Sequence, residues 1–327
     1  MKIMKKLLAL SAAVILLFAF SGCAAAPDNK FRSMDKILSS GGKDYERCEY
    51  RAEINNGKEE KTVYTDGEAS EMILTFEKLD EKLAKLTMEL TIKFDKTPPY
   101  AGETADYTGK TDRMYSEVVF NAYTEDFNPV SVRKEAAFET SPDKSFKAEF
   151  TYPAGKESGK GKYKFTNSEE TSFVIKLGKL KETFDNEQIY YMISSFLSKE
   201  TGSDLKTALG YTKQYKVFNL ADYFSYGKTG GNLTFAVDEQ QAESYNGLAA
   251  RDSDKIAKVS VHFSQGKPLV MYYSLDYRIN INDSPVNTPV RRYLFLGCEQ
   301  ETGGGDSLVK TSYTLKKYSA EKPQPQG

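Results

Sequence analysis

The chain has a single histidine, three cysteines and no tryptophan, so few residues could support side-chain chemistry. His262 lies in Lys258-Val259-Ser260-Val261-His262-Phe263, on the polar face opposite Val259, Val261 and Phe263. A catalytic triad or a histidine-bearing metal site needs partners around it. None can be named, so His262 reads as a solvated strand residue. Gly303-Gly304-Gly305 with Lys310-Thr311 falls short of a phosphate loop: Val309 stands where a glycine is required, and a strand follows where a helix should. Asp252-Ser253-Asp254 lacks the rest of a calcium loop. Paired carboxylates could hydrolyse glycosides, but with 46 acidic residues some pair always falls at a workable spacing. Cys48 and Cys298 each sit on the apolar alternation of a strand. Spacing leaves a disulfide and two separately buried thiols both open. No catalytic set, cofactor or metal site is therefore expected.

The elements that would carry these residues are mainly β. Cys48, Tyr50, Ala52 and Ile54 alternate with Arg47, Glu49, Arg51 and Glu53, and Asn55-Asn56-Gly57 then suits a hairpin turn with a return through Thr62, Val63 and Tyr64. Leu86, Met88, Leu90, Ile92 and Phe94 share one face of another strand, as in an antiparallel sheet with one buried and one wet side. Similar signals mark 114–123, 130–138, 146–152, 162–165, 172–177, 215–220, 232–237, 256–263, 269–279, 290–298 and 308–318. The segment 98–112 reads mostly as a polar loop. Phe31, Met34 and Leu38 suggest a short helix, and 202–211 another. The clearest helix spans about 185–198. Asp185 and Gln188 form a capping box, and Ile189, Met192, Ile193, Phe196 and Leu197 make one apolar stripe.

Abundant Tyr and Phe, 22 and 19 of them, agree with pleated, half-buried surface. The expected fold is β-rich α+β: a large, curved, half-barrel-like antiparallel sheet with the helix packed on its apolar face. One domain over 31–320 is expected, open between one sheet and two sub-sheets at about 44–200 and 213–318. Residues 321–327 read as a disordered tail. Basic and acidic residues number 45 and 46, with no block of one sign, which argues against nucleic acid.

The amino terminus carries the sharpest signal. Lys2, Lys5 and Lys6 precede an apolar run from Leu7 to Phe20, too short to span a membrane and of signal-peptide length. The run ends in Phe20-Ser21-Gly22-Cys23, which resembles the lipobox of bacterial lipoproteins. That resemblance implies that residues 1–22 are a signal peptide, that Cys23 is acylated, and that 23–30 form a tether. The protein would then sit outside the cytoplasm on a membrane, since two or more acyl chains anchor stably.

Three further segments carry a second resemblance: Asp126-Phe127-Asn128-Pro129-Val130 leading into Ser131-Val132-Arg133-Lys134-Glu135, then Phe184-Asp185-Asn186-Glu187-Gln188-Ile189-Tyr190-Tyr191-Met192, then Pro289-Val290-Arg291-Arg292. Their order resembles the exported proteins grouped as the DUF3108 family and, in outline, the LolA/LolB-type lipoprotein carriers. The resemblance implies a half-open curved sheet with helices across its concave side, and in the carriers a lipid cavity.

Two non-catalytic functions follow. In the first, the protein binds a lipid or other amphiphile in an apolar pocket lined by Leu86, Leu90, Phe146, Phe150 and Phe196, residues that would otherwise fill the core. In the second, it is a structural or interaction lipoprotein that meets an envelope protein or glycan through polar faces bearing tyrosines such as Tyr272.

Overall fold

The computed structural model describes residues 31–38, 44–58, 62–101, 104–176, 183–201, 212–227, 231–238, 241–250, 256–263, 266–276, 278–281 and 288–322. The lipobox with Cys23, the helix expected at 202–211 and most of the expected disordered tail lie outside these residues. The first half of the body contains α1 (Met34–Leu38), β1 (Tyr45–Asn56), β2 (Glu71–Lys78), β3 (Ala84–Lys93), β4 (Thr111–Phe120), β5 (Pro129–Phe138), β6 (Phe146–Thr151), β7 (Ser158–Phe165), β8 (Thr171–Lys176) and β9 (Thr183–Asp185). A 3-10 turn, Asn186–Gln188, leads into α2 (Ile189–Thr201). Then come β10 (Thr212–Phe218), α3 (Leu220–Tyr226), β11 (Gly231–Val237), β12 (Ser244–Tyr245), β13 (Leu248–Ala250), β14 (Ile256–Phe263) and β15 (Leu269–Ser274). The chain closes with β16 (Arg278–Asn280), β17 (Thr288–Pro289), β18 (Phe295–Thr302) and β19 (Val309–Ser319).

Fifteen strands form one sheet, ordered β8-β7-β6-β5-β4-β3-β2-β1-β19-β18-β15-β14-β11-β10-β9. The two β-rich stretches are thus halves of a single sheet, welded where the last strand pairs antiparallel with the first, Ala52 facing Tyr313 and Ile54 facing Thr311. Among the described residues, only β9 and β10 pair parallel. Four short strands, β12, β13, β16 and β17, make a second small sheet. The large sheet is not closed; β8 and β9 are its free edges. It curls nonetheless. Asp185 at the end of β9 ion-pairs with Lys134 of β5, far away in strand order, at 2.9 Å. Strand twist of one hand accumulates across many strands and supplies that curvature.

Alternation fixes which side chains face the inside of the curl. Leu86, Val118, Val132, Phe150, Gly161 and Phe173 are successive cross-strand partners along one inward row. Gly161 is required there, because a β-carbon would stand 2.4 Å from the Phe173 ring. Its absence lets Phe150 and Phe173 approach to 5.9 Å between ring centroids.

Helix α2 fills the curl. Its stripe Ile189, Met192, Ile193, Phe196 and Leu197 is buried as the periodicity requires. Its other side is buried too, unlike the amphipathic helix expected. Ser194, Ser195 and Ser198 make this tolerable because they are small and find partners. Ser194 Oγ donates to the Tyr293 carbonyl at 2.6 Å, and Ser195 Oγ to that of Arg32 at 2.7 Å. Tyr191 packs on Phe76 at 4.9 Å, Tyr190 on Phe295 at 4.9 Å and Phe196 on Phe235 at 4.8 Å. One helix therefore touches both halves of the sheet.

Several expectations need correction. The return strand after Asn55-Asn56-Gly57 is only an isolated bridge between Asn55 and Val63; β1 pairs instead with β2. That strand was missed because Met72, Ile73 and Leu74 are buried in succession, which blurs the alternation. The expected strand 269–279 breaks after Ser274, whose hydroxyl accepts from the Asp276 amide. The strand expected from Val290 starts only at Phe295, after Tyr293 takes a left-handed φ of 59°.

Cys48 and Cys298 are both free, buried thiols. The disulfide alternative fails on geometry. Strand β19 lies between them, Cys48 facing its Tyr318 and Cys298 its Tyr313. Two inter-strand spacings, about 9–10 Å, already exceed the Cα separation a disulfide allows. Burial pushes both thiols above their ordinary pKa.

Candidate functional site

Two clusters of buried charge occupy the inside of the curl, each tying a strand to the segment around α2. On β5 the inward phase passes through Val132, Lys134 and Ala136, so a lysine stands where an apolar residue is the rule. Lys134 is 5% exposed. Across from it, the turn before α2 presents three consecutive polar side chains. Lys134 Nζ donates to Asn186 Oδ1 at 2.7 Å and to Glu187 Oε2, and lies 2.9 Å from Asp185 Oδ1. Asn186 Nδ2 donates to the other oxygen of Glu187, Oε1, at 3.2 Å. The capping box holds this turn: the Glu187 amide donates to Asp185 Oδ1 at 3.3 Å, and the Asp185 amide to Gln188 Oε1 at 2.9 Å. Gln188 Nε2 then donates to the Phe127 carbonyl at 2.8 Å, pinning the turn to the loop before β5. The Phe150 ring lies 5.8 Å from Lys134 Nζ, and the Tyr152 hydroxyl 3.4 Å from Asp185 Oδ2.

Two carboxylates share one ammonium here, and burial disfavours charge. Burial raises the Asp185 pKa well above 3.8 despite Lys134. Burial also works to raise Glu187, but Lys134 together with hydrogen bonds from Asp185 and the backbone outweighs it, and the net shift is downward. Lys134 loses to burial and gains more from the two acids, so it is raised. Burial thus pulls Asp185 toward its protonated form while Lys134 holds Glu187 ionised.

The second cluster is balanced. Glu46 precedes Cys48 on the inward phase of β1 and is 1% exposed. Arg291 clasps it, with Nε at 2.6 Å from Oε2 and an Nη at 3.0 Å from Oε1. The Tyr191 hydroxyl of α2 donates to Oε1 at 2.8 Å, and Tyr318 of β19 to Oε2 at 3.3 Å. The remaining Arg291 nitrogen donates to the Tyr293 carbonyl at 2.9 Å. This fork-to-fork geometry satisfies nearly every donor and acceptor.

Of the residues expected to line an amphiphile pocket, Leu86, Phe150 and Phe196 are 0%, 2% and 2% exposed in the packed core. Phe150 stacks edge-on to Phe218 at 5.1 Å. Leu90 and Phe146 are partly buried at the margin of that core. Phe146 meets Phe224 of α3 at 5.0 Å. Tyr272, expected on an exposed face, is 7% exposed, stacked on Tyr245 at 4.0 Å and bonded to Glu299. His262 is exposed on β14, as its strand phase implied.

Leu90 and Phe146 also line open space. A groove of about 890 Å³ runs over β3–β7, and a second of about 460 Å³ over β4–β8 shares Glu149 and Lys162 with it. Their charged lining belongs to the outward rows: Glu89, Tyr115, Glu135, Lys147 and Lys164 are successive cross-strand partners. No described residue of α2 or α3 lines either groove. The larger groove also takes in Leu90, Met114, Ala136, Phe146, Tyr163 and Phe165 of the inward rows. Ion pairs span the outward rows, Lys147 to Glu135 at 3.1 Å and Lys162 to Glu170 at 3.3 Å.

No family model and no curated protein matches the sequence. Among solved structures, the chain is similar to a β-barrel-like protein of a domain of unknown function, DUF1849, from Brucella abortus. Identity is 12% and the TM-score 0.46, over 84% of this chain and 96% of that one. Among the described residues, no three His, Cys, Asp or Glu side chains gather as a metal site, and no helix is long and apolar enough to cross a membrane.

The buried clusters could have been found from the sequence by one signal. Glu46 and Lys134 each occupy the apolar phase of an alternating strand, where a charge needs a buried partner. Asp185 and Glu187 sit in the capped turn before α2, and Arg291 lies in the segment before β18. Sequence spacing alone could not match Glu46 to Arg291 across 245 residues.

Proposed function

We propose that the protein is a non-catalytic binding module, held by acylated Cys23 on the outer side of a membrane, whose ligand is a polypeptide of the envelope lying in the larger groove. One observation carries this reading: among the described residues the side chains of the row from Leu86 to Phe173 are buried against α2 and its neighbours, while a groove of about 890 Å³ runs over β3–β7 with the charged outward rows in its lining. Packed interiors leave no room for an acyl chain. The groove mixes Glu89, Glu135, Glu149 and Glu170 with Arg113, Lys147, Lys162 and Lys164. Such alternation of sign suits a chain of mixed charge and is neutral overall, so it favours specificity over strong electrostatic attraction. A flat sugar ring would want an open aromatic face, but Arg133 already sits 5.8 Å over the Tyr115 ring.

The test is a photo-crosslinking amino acid at Tyr115 in the native membrane, paired with solvent extraction of the purified protein. A defined crosslinked polypeptide and an empty extract are expected. A co-purifying lipid with no crosslinked polypeptide would restore the amphiphile reading, and a crosslinked glycan would replace the ligand class.

A further inference from the structure

The cluster around Lys134 contains a nucleophile, an acyl group and a proton carrier in mutual contact. We propose that Lys134 and Asn186 condense spontaneously into an intramolecular amide that bonds β5 covalently to the turn before α2.

The geometry supplies each part. Lys134 Nζ is 2.7 Å from Asn186 Oδ1, one bond short of the carbonyl carbon it would attack. Glu187 bridges the two nitrogens that must exchange: Oε2 accepts from Lys134 Nζ, and Oε1 accepts from Asn186 Nδ2 at 3.2 Å. One carboxylate thus touches both the entering and the departing nitrogen, the arrangement general acid–base catalysis requires. The partners are held before reaction by the capping box and by the strand, so little orientational entropy remains to be lost. Lys134, Asp185 and Glu187 are all buried, with Phe150 beside the amine. A low-dielectric surround favours conversion of a charged set into a neutral amide.

The step balances without an oxidant or co-reactant. Glu187 takes a proton from the Lys134 ammonium. The free amine attacks Asn186 Cγ, and the Nζ–Cγ bond forms. Glu187 returns its proton to Nδ2, the Cγ–Nδ2 bond breaks, and ammonia leaves. The extra proton on Nζ goes back to Glu187, so ammonia departs neutral and no unpaired carboxylate is left beside the new amide. Two carboxylates hold Lys134 mainly charged beforehand. A reaction that occurs once per molecule needs only a small neutral fraction.

This inference is independent of the larger groove. It is tested by mass spectrometry on the purified full-length protein, digested with trypsin after denaturation. The expected result is one branched peptide joining the Lys134 and Asn186 segments, short of the summed mass by one ammonia, with no cleavage after Lys134. Separate, unmodified peptides from folded protein would overturn the proposal. A branched peptide short by one water would overturn Asn186 as the acceptor and place the bond on a neighbouring carboxyl. Asn186→Ala, whose far-ultraviolet spectrum should match the parent, should yield only linear peptides. Glu187→Gln should slow the bond at least about tenfold, the lower range of acid–base catalysis. An unchanged rate there would remove Glu187 from the mechanism.

Discussion

The two buried charge clusters hold the same helix by opposite principles. At the Glu46 end, one carboxylate meets one guanidinium in a fork, and two tyrosines complete the shell. At the Lys134 end, two carboxylates and an amide crowd one ammonium. Both occupy the inward phase of a strand, and both tie the sheet to residues flanking or within α2. The balanced cluster has no spare proton and no electrophile, so it can only hold. The unbalanced one pushes the Asp185 pKa up and sets an amine against an amide. Burial is common to both; stoichiometry decides which of them has chemistry.

Breaking the balanced pair should have the largest effect. Arg291→Met leaves Glu46 buried with only tyrosine hydroxyls around it, and should cost about 3–5 kcal/mol in urea unfolding. A loss under about 1 kcal/mol would show that Glu46 is not committed to its partner. Lys134→Met should cost somewhat less, about 3 kcal/mol, because burial already favours the neutral form of Asp185 and leaves Glu187 as the main unpaired charge. Equal costs for the two variants would erase the contrast between the clusters.

Asp185→Asn sharpens the contrast through pH. The folded-state pKa of Asp185 is raised, so its protonated form adds stability below 3.8, and that contribution is lost as pH rises toward the folded value. Asparagine keeps the cap, since its side-chain oxygen can still accept from the Glu187 amide. The variant should therefore gain on the parent as pH rises from below 3.8 to neutrality. Parallel urea midpoints across that range would show that Asp185 does not hold the proton. The smallest effect belongs outside: Lys162→Gln breaks a half-exposed pair with Glu170 and should change stability by under about 0.5 kcal/mol. A larger loss would mean that the larger groove is part of the framework.

Much of this architecture could be read without coordinates. Strands β3 and β14 follow their alternation closely, because one face of each is apolar throughout. The capping box at Asp185 and the stripe of α2 are local signals and appear where they were expected. Less local features were hidden. Strand β2 buries three residues in succession, and α3, whose Asn219 caps the Ala221 amide, carries three aromatics that resemble a strand end. The pocket expected behind Leu86, Phe150 and Phe196 could not be told from a filled core, since both use the same apolar residues.

Local periodicity determined that this chain is a β-rich body around one capped helix, because phase and caps depend on neighbours a few residues away. The curl of the sheet was decided only in three dimensions. It joins β1 to β19, brings β9 onto β5, surrounds α2 and sets Lys134 against Asn186. Those contacts link residues from about fifty to well over two hundred positions apart, a separation over which no sequence period survives.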